Sequence, residues 1–218
     1  MVAAKPLVTA ALLALVFSAA ALADTPTVKF TSADQARAVA ALLHSTDFGA
    51  GWQGGMTKPS PIKSPTCPGF DPKESDLVVS GHADARYTFP QGGVEFDQDV
   101  QVMADADAVA TDFERTIGPA LARCLAYQLR KAKDVTGVTV TRIPFPPAGT
   151  VTAAYRAAID VTRGKKRGRL VSDYVFFGEG RLEYALNVIA PESVGDELVR
   201  FESSLAQILV KRAGVAPA

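Results

Sequence analysis

The chain has 218 residues, 48% of them hydrophobic and 21% charged, with basic and acidic side chains in equal number. That composition excludes a disordered, collagenous or low-complexity chain and fits one ordinary globular domain. A formal net charge of zero also argues against a polybasic nucleic-acid binder.

The chain opens with Lys5, an apolar run from Leu7 to Ala20 broken only by Thr9 and Ser18, and the small-x-small tripeptide Ala21-Leu22-Ala23. This is the pattern of a cleaved signal peptide over residues 1–23, and its apolar part is shorter than the roughly 20 residues of a spanning helix. The expected mature chain begins at Asp24 with no transmembrane segment, free in the periplasm, the cell-wall space or the medium. Its domains read as an N-terminal extension over 24–29, a single domain over 30–212 and a flexible C-terminus over 213–218. Removing Lys5 leaves 22 basic residues against 23 acidic ones.

Next, "TSADQARAVAALLHSTDFG" predicts a helix capped by Ser32, with Gln35 three residues on. Ala36, Val39, Leu42 and Leu43 would form its stripe and Gly49 its left-handed exit. From Gly51 to Pro72 the chain reads as a short strand and then an irregular, proline-rich segment carrying Cys67. The second and last cysteine is Cys124, and two cysteines in an exported chain favour a disulfide over a metal site. Neither metal nor cofactor is expected, since two thiolates with only His44 and His82 in reserve lack a zinc-site spacing.

A hairpin follows in "LVVSGHADARYTFPQGGVEFDQDVQVM", where Pro90-Gln91-Gly92-Gly93 forms the turn and Phe89 pairs with Val94. One face then carries Val79, Ala83, Ala85, Tyr87, Phe89, Val94, Phe96, Val100 and Val102. The other carries Ser80, His82, Asp84 and Arg86 beside Glu95, Asp97, Asp99 and Gln101, and its polarity predicts exposure to solvent. The register sets Arg86 opposite Asp97, Asp84 opposite Asp99, and His82 opposite Gln101. Opposed like charges are unfavourable, so Asp84 with Asp99 invites a cation or Arg86. Ser80, His82 and Asp84 share a face, but strand neighbours two apart do not relay a proton directly.

"DADAVATDFERTIGPALARCLAYQLRKA" is helical from an Asp105 cap, split or kinked at Gly118-Pro119. The second half repeats strands then helix. "GVTVTRIPF" is a strand, "TAAYRAAIDVT" and "RLVSDYVFF" form a hairpin, and "RLEYALNVIA" follows a Gly178-Glu179-Gly180 turn. A closing helix has Val194, Leu198, Phe201, Leu205 and Ile208 on one stripe. The fold class is therefore α+β: an antiparallel sheet built of hairpins, helices packed on it, two β-then-helix halves and one disulfide.

Pairing Val161 with Leu170 and Phe177 with Leu182 leaves both faces of the second-half sheet rich in apolar side chains. The sheet must then be covered twice or leave a patch open. An open groove holding Arg156, Asp173, Phe177 and Tyr184 would suit a small apolar or amphipathic ligand or an envelope component. The alternative pairs Arg156 with Asp173 or Asp160 and buries the aromatics under a helix. The turn "VTRGKKRGRL" puts Arg163, Lys165, Lys166, Arg167 and Arg169 at one tip, a candidate for lipid headgroups or wall polymer. Such a tip also keeps a hairpin solvated and prevents pairing with other chains. Nucleic acid is disfavoured because no aromatics interleave the charges.

The segments "LLHSTDFGAGW", "DVQVMADADAVATDF" and "ALARCL", with a cysteine ahead of the hairpin, resemble the kinase-H-like extracellular sensor domain of some actinobacterial serine/threonine kinases and its secreted relatives. The likeness spans Phe30 to Arg212. The chain lacks that family's usual second cysteine pair and reads Leu121-Ala122-Arg123 where a tryptophan is common. The resemblance implies a ligand-sensing or ligand-binding domain without catalysis. With no nucleophile elbow, zinc-protease helix or phosphate-cradling loop in the chain, the reading is an exported, non-enzymatic binding domain at the cell envelope. An uncharacterised hydrolase is the remaining alternative.

Overall fold

A computed structural model describes residues 24–215 of the chain; the expected signal peptide at 1–23 lies outside them. The elements run β1 (Thr27–Val28), α1 (Ser32–Ala40), α2 (Ser45–Phe48), β2 (Gln53–Thr57), β3 (Val78–Phe89), β4 (Val94–Met103), α3 (Ala106–Thr116) and α4 (Pro119–Leu129). Then come β5 (Val135–Ile143), β6 (Val151–Arg163), β7 (Lys166–Glu179), β8 (Leu182–Pro191), a single 3-10 turn (Glu192–Val194) and α5 (Gly195–Val215).

The strands form one sheet in the order β1-β3-β4-β8-β7-β6-β5, with β2 also pairing to β3. All pairings are antiparallel except that of β1 with β3. The α+β class follows, and the two halves join through β4 and β8 into one sheet. Its first face is covered by α1 and α5 over Ala83, Tyr87, Phe96, Val100, Val175, Phe177, Tyr184 and Leu186. The second face receives α3, α4 and the irregular segment between β2 and β3.

The β3–β4 register follows the alternating pattern: Phe89 pairs with Val94, Arg86 with Asp97, Asp84 with Asp99 and His82 with Gln101. In the second half the hairpins are tighter than the pattern suggests. Val161 pairs with Gly168, and Glu179 with Leu182, so each turn has only two residues. The glycine leading each turn, Gly164 or Gly180, has φ of 63° or 57°, which L side chains rarely adopt and a two-residue hairpin requires. A slip of two residues keeps every side chain on its face, so the faces stand although the partners change.

The first helix also departs from its pattern. Thr31, not Ser32, caps α1, and the helix stops at Ala40. Gln98, buried on β4, accepts from the Leu43 N–H at 2.9 Å and donates to the Ala41 carbonyl at 3.2 Å. That side chain takes the place of the next helical turn, and His44 becomes the N-cap of the separate α2. At the other end Thr27 and Val28 pair in parallel with β3, so residues 24–29 are not a free extension. Likewise α5 continues to Val215 instead of ending at 212.

Cys67 and Cys124 are bonded, fixing the irregular segment to α4. Phe70 follows into a cluster with Leu121, Cys124 and Tyr155. Ser60 anchors the earlier part, its backbone N–H donating to Asp84 Oδ2 at 2.8 Å and its hydroxyl to the same oxygen. This cover overturns the expected solvent exposure of the polar face, since His82 and Asp84 lie buried beneath it. Ser80 is buried too, but the β3 bulge turns it to the first face, where Arg181 bridges it to Asp34 of α1, and Val79 joins Leu77, Met103 and Val109 on the second.

Candidate functional site

The expected groove at Arg156, Asp173, Phe177 and Tyr184 is closed. Arg156 grips Asp173 with two hydrogen bonds of 2.7 and 2.6 Å across β6 and β7. Phe177 and Tyr184 stack at 4.6 Å between ring centres, and Asp173, Phe177 and Tyr184 have no exposed surface. The cause is α5, which lays Leu198, Glu202, Leu205, Ala206 and Leu209 over that face. Glu202 sits against Asp173, with no donor for either of its carboxyl oxygens. Two facing carboxyls in such a place need a proton between them. Burial first, and Asp173 second, raise Glu202 to about 9, so it is protonated at neutral pH. This is an internal ion-pair network beneath α5, and only Arg156 keeps part of its side chain at the surface.

The basic hairpin keeps its exposure. Arg169 pairs with Asp160 at 3.1 Å and Glu192 at 3.2 Å. Arg163, Lys165, Lys166 and Arg167 are exposed and make no ion pair among the described residues. The turn itself is Gly164-Lys165, with Arg163 facing Lys166.

The opening lies on the second face. A cavity of about 460 Å³ is enclosed by the segment Ser60 to Pro65, by α3 and α4, and by the sheet floor of Tyr174, Phe176 and Ala185. Ile62, Phe70, Leu77, Met103 and Leu121 make much of its wall apolar. Four carboxyl groups line it as well, Glu74, Asp99, Asp112 and Glu183, together with the amine of Lys63. Glu74 Oε1, Asp112 Oδ1 and Glu183 Oε2 are buried atoms with no hydrogen-bond partner. No ion pair to any of the three is present among the described residues.

Desolvation governs these groups. Burial lifts Glu74 to about 7, with Ser64 opposing the rise by donating to it. Asp112 is raised by burial, and Glu183 is raised further, first by burial and then by the neighbouring Asp112 charge. Glu183 thus holds the proton of that pair. A second opening of about 420 Å³ adjoins the first across Ser60, Asp99, Tyr174 and Phe176, and carries Lys58, Arg86 and Asp97.

Asp99 lines both openings, and the buried His82 lies between it and a second carboxylate, Asp84. Its Nε2 is 2.7 Å from Asp99 Oδ2 and 2.9 Å from Asp84 Oδ1. The cation invited by the opposed aspartates is thus the imidazole itself, while Arg86 turns to Asp97. Burial works against the charged ring, but the two acids outweigh it and raise His82 to about 9. Asp84 is correspondingly held at about 2, through its bonds to His82 and Ser60 and against its own burial. Ser80, at the β3 bulge, gives its hydroxyl hydrogen to the Val102 carbonyl at 3.1 Å and accepts from Arg181. A Ser80-His82-Asp84 relay is therefore not assembled.

A third hollow, about 710 Å³, lies between α4 and β5 with Arg123, Arg130 and Arg142 on its rim and Tyr155 on its floor. Arg130 donates to the Val138 carbonyl at 3.0 Å. No buried, unpartnered polar group points into this hollow among the described residues.

Sequence reasoning missed Glu74, Asp112 and Glu183. A signal existed for two of them. Asp112 lies three residues beyond Val109 on α3, and Glu183 lies between Leu182 and Tyr184 in a strand that is apolar apart from Asn187. A carboxylate at such positions is uncommon unless paired. No helix among the described residues is long and apolar enough to cross a membrane. Comparison with protein-family models and with curated protein sequences gives no match, so the functional reading rests on these side chains.

Proposed function

We propose that the chain is an exported, non-catalytic binding domain of the cell envelope whose ligand is an amphipathic amine held in the carboxyl-lined cavity. One observation carries the ligand class: Glu74, Asp112 and Glu183 each bring to the cavity a buried carboxyl oxygen with no hydrogen-bond partner, and none of the three forms an ion pair among the described residues. Burying such groups unpaired is costly, and a ligand ammonium removes that cost. The apolar wall accommodates the ligand's hydrocarbon part. The kinase-H-like resemblance points the same way, towards sensing and not catalysis.

Decylammonium serves as the probe and decanoate as its charge-reversed control. The amine is expected to bind with one site per chain in calorimetry, and decanoate not to bind. Affinity should rise as pH increases through about 7, because Glu74 must give up its proton to meet the ammonium. Glu74→Gln, which removes the carboxyl that ionises near neutral pH, should weaken the amine at least tenfold. A preference for decanoate, or an affinity that falls as pH rises from 6 to 8, would overturn the reading.

The exposed cations Arg163, Lys165, Lys166 and Arg167 support a second reading, contact with an anionic surface of lipid headgroups or wall polymer. Retention on anionic vesicles should then fall steeply with salt, and replacing Lys165, Lys166 and Arg167 by Ser should abolish it. Salt-insensitive retention rejects this reading.

A further inference from the structure

We propose that His82, Asp84 and Asp99 form a binding site for a divalent transition-metal ion of the zinc class, open towards the ligand cavity. The proposal stands apart from the amine reading, because its three ligands are not the carboxyls that would hold the amine.

The argument begins with donor geometry. A tetrahedral zinc ion with bonds of about 2.0–2.1 Å sets neighbouring donor atoms about 3.3–3.4 Å apart. Here His82 Nε2 lies 2.9 Å from Asp84 Oδ1 and 2.7 Å from Asp99 Oδ2, and all three donor groups lie within 4.8 Å of one another. An ion seated among the three would have to part each carboxylate oxygen from Nε2 by about half an ångström.

The outer contacts are those a metal site needs. Each aspartate turns one oxygen towards Nε2 and has the other fixed by a donor. For Asp84 these donors are the Ser60 backbone N–H and hydroxyl; for Asp99 the donor is Gln101 Nε2 at 3.1 Å. Asp84 Oδ1, the oxygen facing the ring, is buried and has no partner besides its 2.9 Å ion-pair contact with Nε2. The backbone of His82 is clamped on both sides by the Gln35 amide, with contacts of 3.1 and 2.6 Å. The ligands are therefore held before any ion arrives.

Charge and access agree with geometry. Exchanging the ring proton on Nε2 for a doubly charged ion leaves a neutral imidazole, two carboxylates and a metal, with no net charge at the site. The mixed nitrogen and oxygen set favours zinc-class ions over calcium, which takes six to eight oxygens. Asp99 lines both openings, so an ion bound there has a route in and keeps a coordination position facing the cavity.

The full chain, stripped with EDTA, should be titrated with ZnCl2 and separately with CaCl2 at pH 7.5. One Zn2+ per chain is expected, at micromolar affinity or tighter, and no saturable binding of Ca2+. Asp99→Asn should weaken zinc at least tenfold, as should His82→Gln. Asp99 is partly exposed, so its variant should fold and decide the matter even if His82→Gln does not. The exposed His44 is the control, and His44→Gln should bind zinc like the parent. Absence of saturable zinc binding, binding untouched by Asp99→Asn, or binding lost in His44→Gln would each overturn the site. Glu74→Gln, which tests the amine reading, should leave zinc affinity unchanged.

Discussion

Replacing Cys67 and Cys124 by Ser is expected to lower stability by about 4 kcal/mol, from the loop-closure entropy that a crosslink across 57 residues removes from the unfolded chain. For a domain of this size that corresponds to a fall in melting temperature of roughly 10 °C. The loss should also be uneven. The bridge holds the segment from Ser60 to Phe70, which covers the second sheet face mainly through Ser60, Phe70 and the bond itself. The strands β6, β7 and β8 pair along ten or more residues and have α5 over them. Amide exchange should therefore rise first between residues 58 and 70, while the centre of β7 stays protected. Amine binding should weaken with the cover, because Ser60 to Pro65 wall the cavity. A double variant with an unchanged melting temperature, or with uniform exchange across the sheet, would contradict this division.

The parts of the site legible in the sequence were those set by local pattern. Clean alternation on both sides of Gly92-Gly93 fixed the β3–β4 register, and with it the juxtaposition of Asp84, Asp99 and His82. What covers them was not legible, because the segment from Lys58 to Pro72 has no periodicity and is positioned by contacts to residues far along the chain. Ser60 finds Asp84 and Cys67 finds Cys124. The break after α1 has the same origin: Gln98, 55 residues beyond Leu43, supplies the competing hydrogen bonds. Apolar patterning could not distinguish the second-half register from one shifted by two, since both put Phe177 and Tyr184 on the same face. Pattern also revealed that both faces needed covering, but not that α5 would seal the first while the second retained a cavity.

The polar residues then separate into two kinds of buried acid. On the first face, Glu202 has Asp173 beside it, and Asp173 has Arg156, so one proton completes a closed network. On the second face, Glu74, Asp112 and Glu183 border the cavity and form no ion pair among the described residues. The first arrangement positions α5 on the sheet; the second is available to a ligand. The distinction does not depend on how far each group is shifted, because burial raises Glu74 and Glu202 alike. What differs is whether an enclosed partner already answers the carboxyl.

The first-face network yields the other large effect. Removing Asp173 as Asp173→Ala should destabilise the fold by about 3–5 kcal/mol, since Arg156 then remains beneath α5 without its counter-charge. Glu202→Gln should act in the opposite direction, and only at higher pH. The folded Glu202 is raised to about 9 from an ordinary 4.5, so the folded state binds its proton more tightly than the unfolded chain does. Its contribution is fully present below about pH 4.5 and is lost as pH climbs through about 9, at up to about 1.4 kcal/mol per pH unit. His82, also raised to about 9, and Glu74, raised to about 7, tilt stability in the same sense. The parent should therefore grow less stable towards alkaline pH, and the difference between parent and variant isolates Glu202. Glutamine keeps a donor for Asp173 without a proton to lose. Urea unfolding at pH 5 and pH 8 should find the two proteins close at the lower pH and Glu202→Gln more stable by about 3 kcal/mol at the higher one. Parallel pH profiles would mean that Glu202 keeps its charge in the fold and that the network is balanced in some other way.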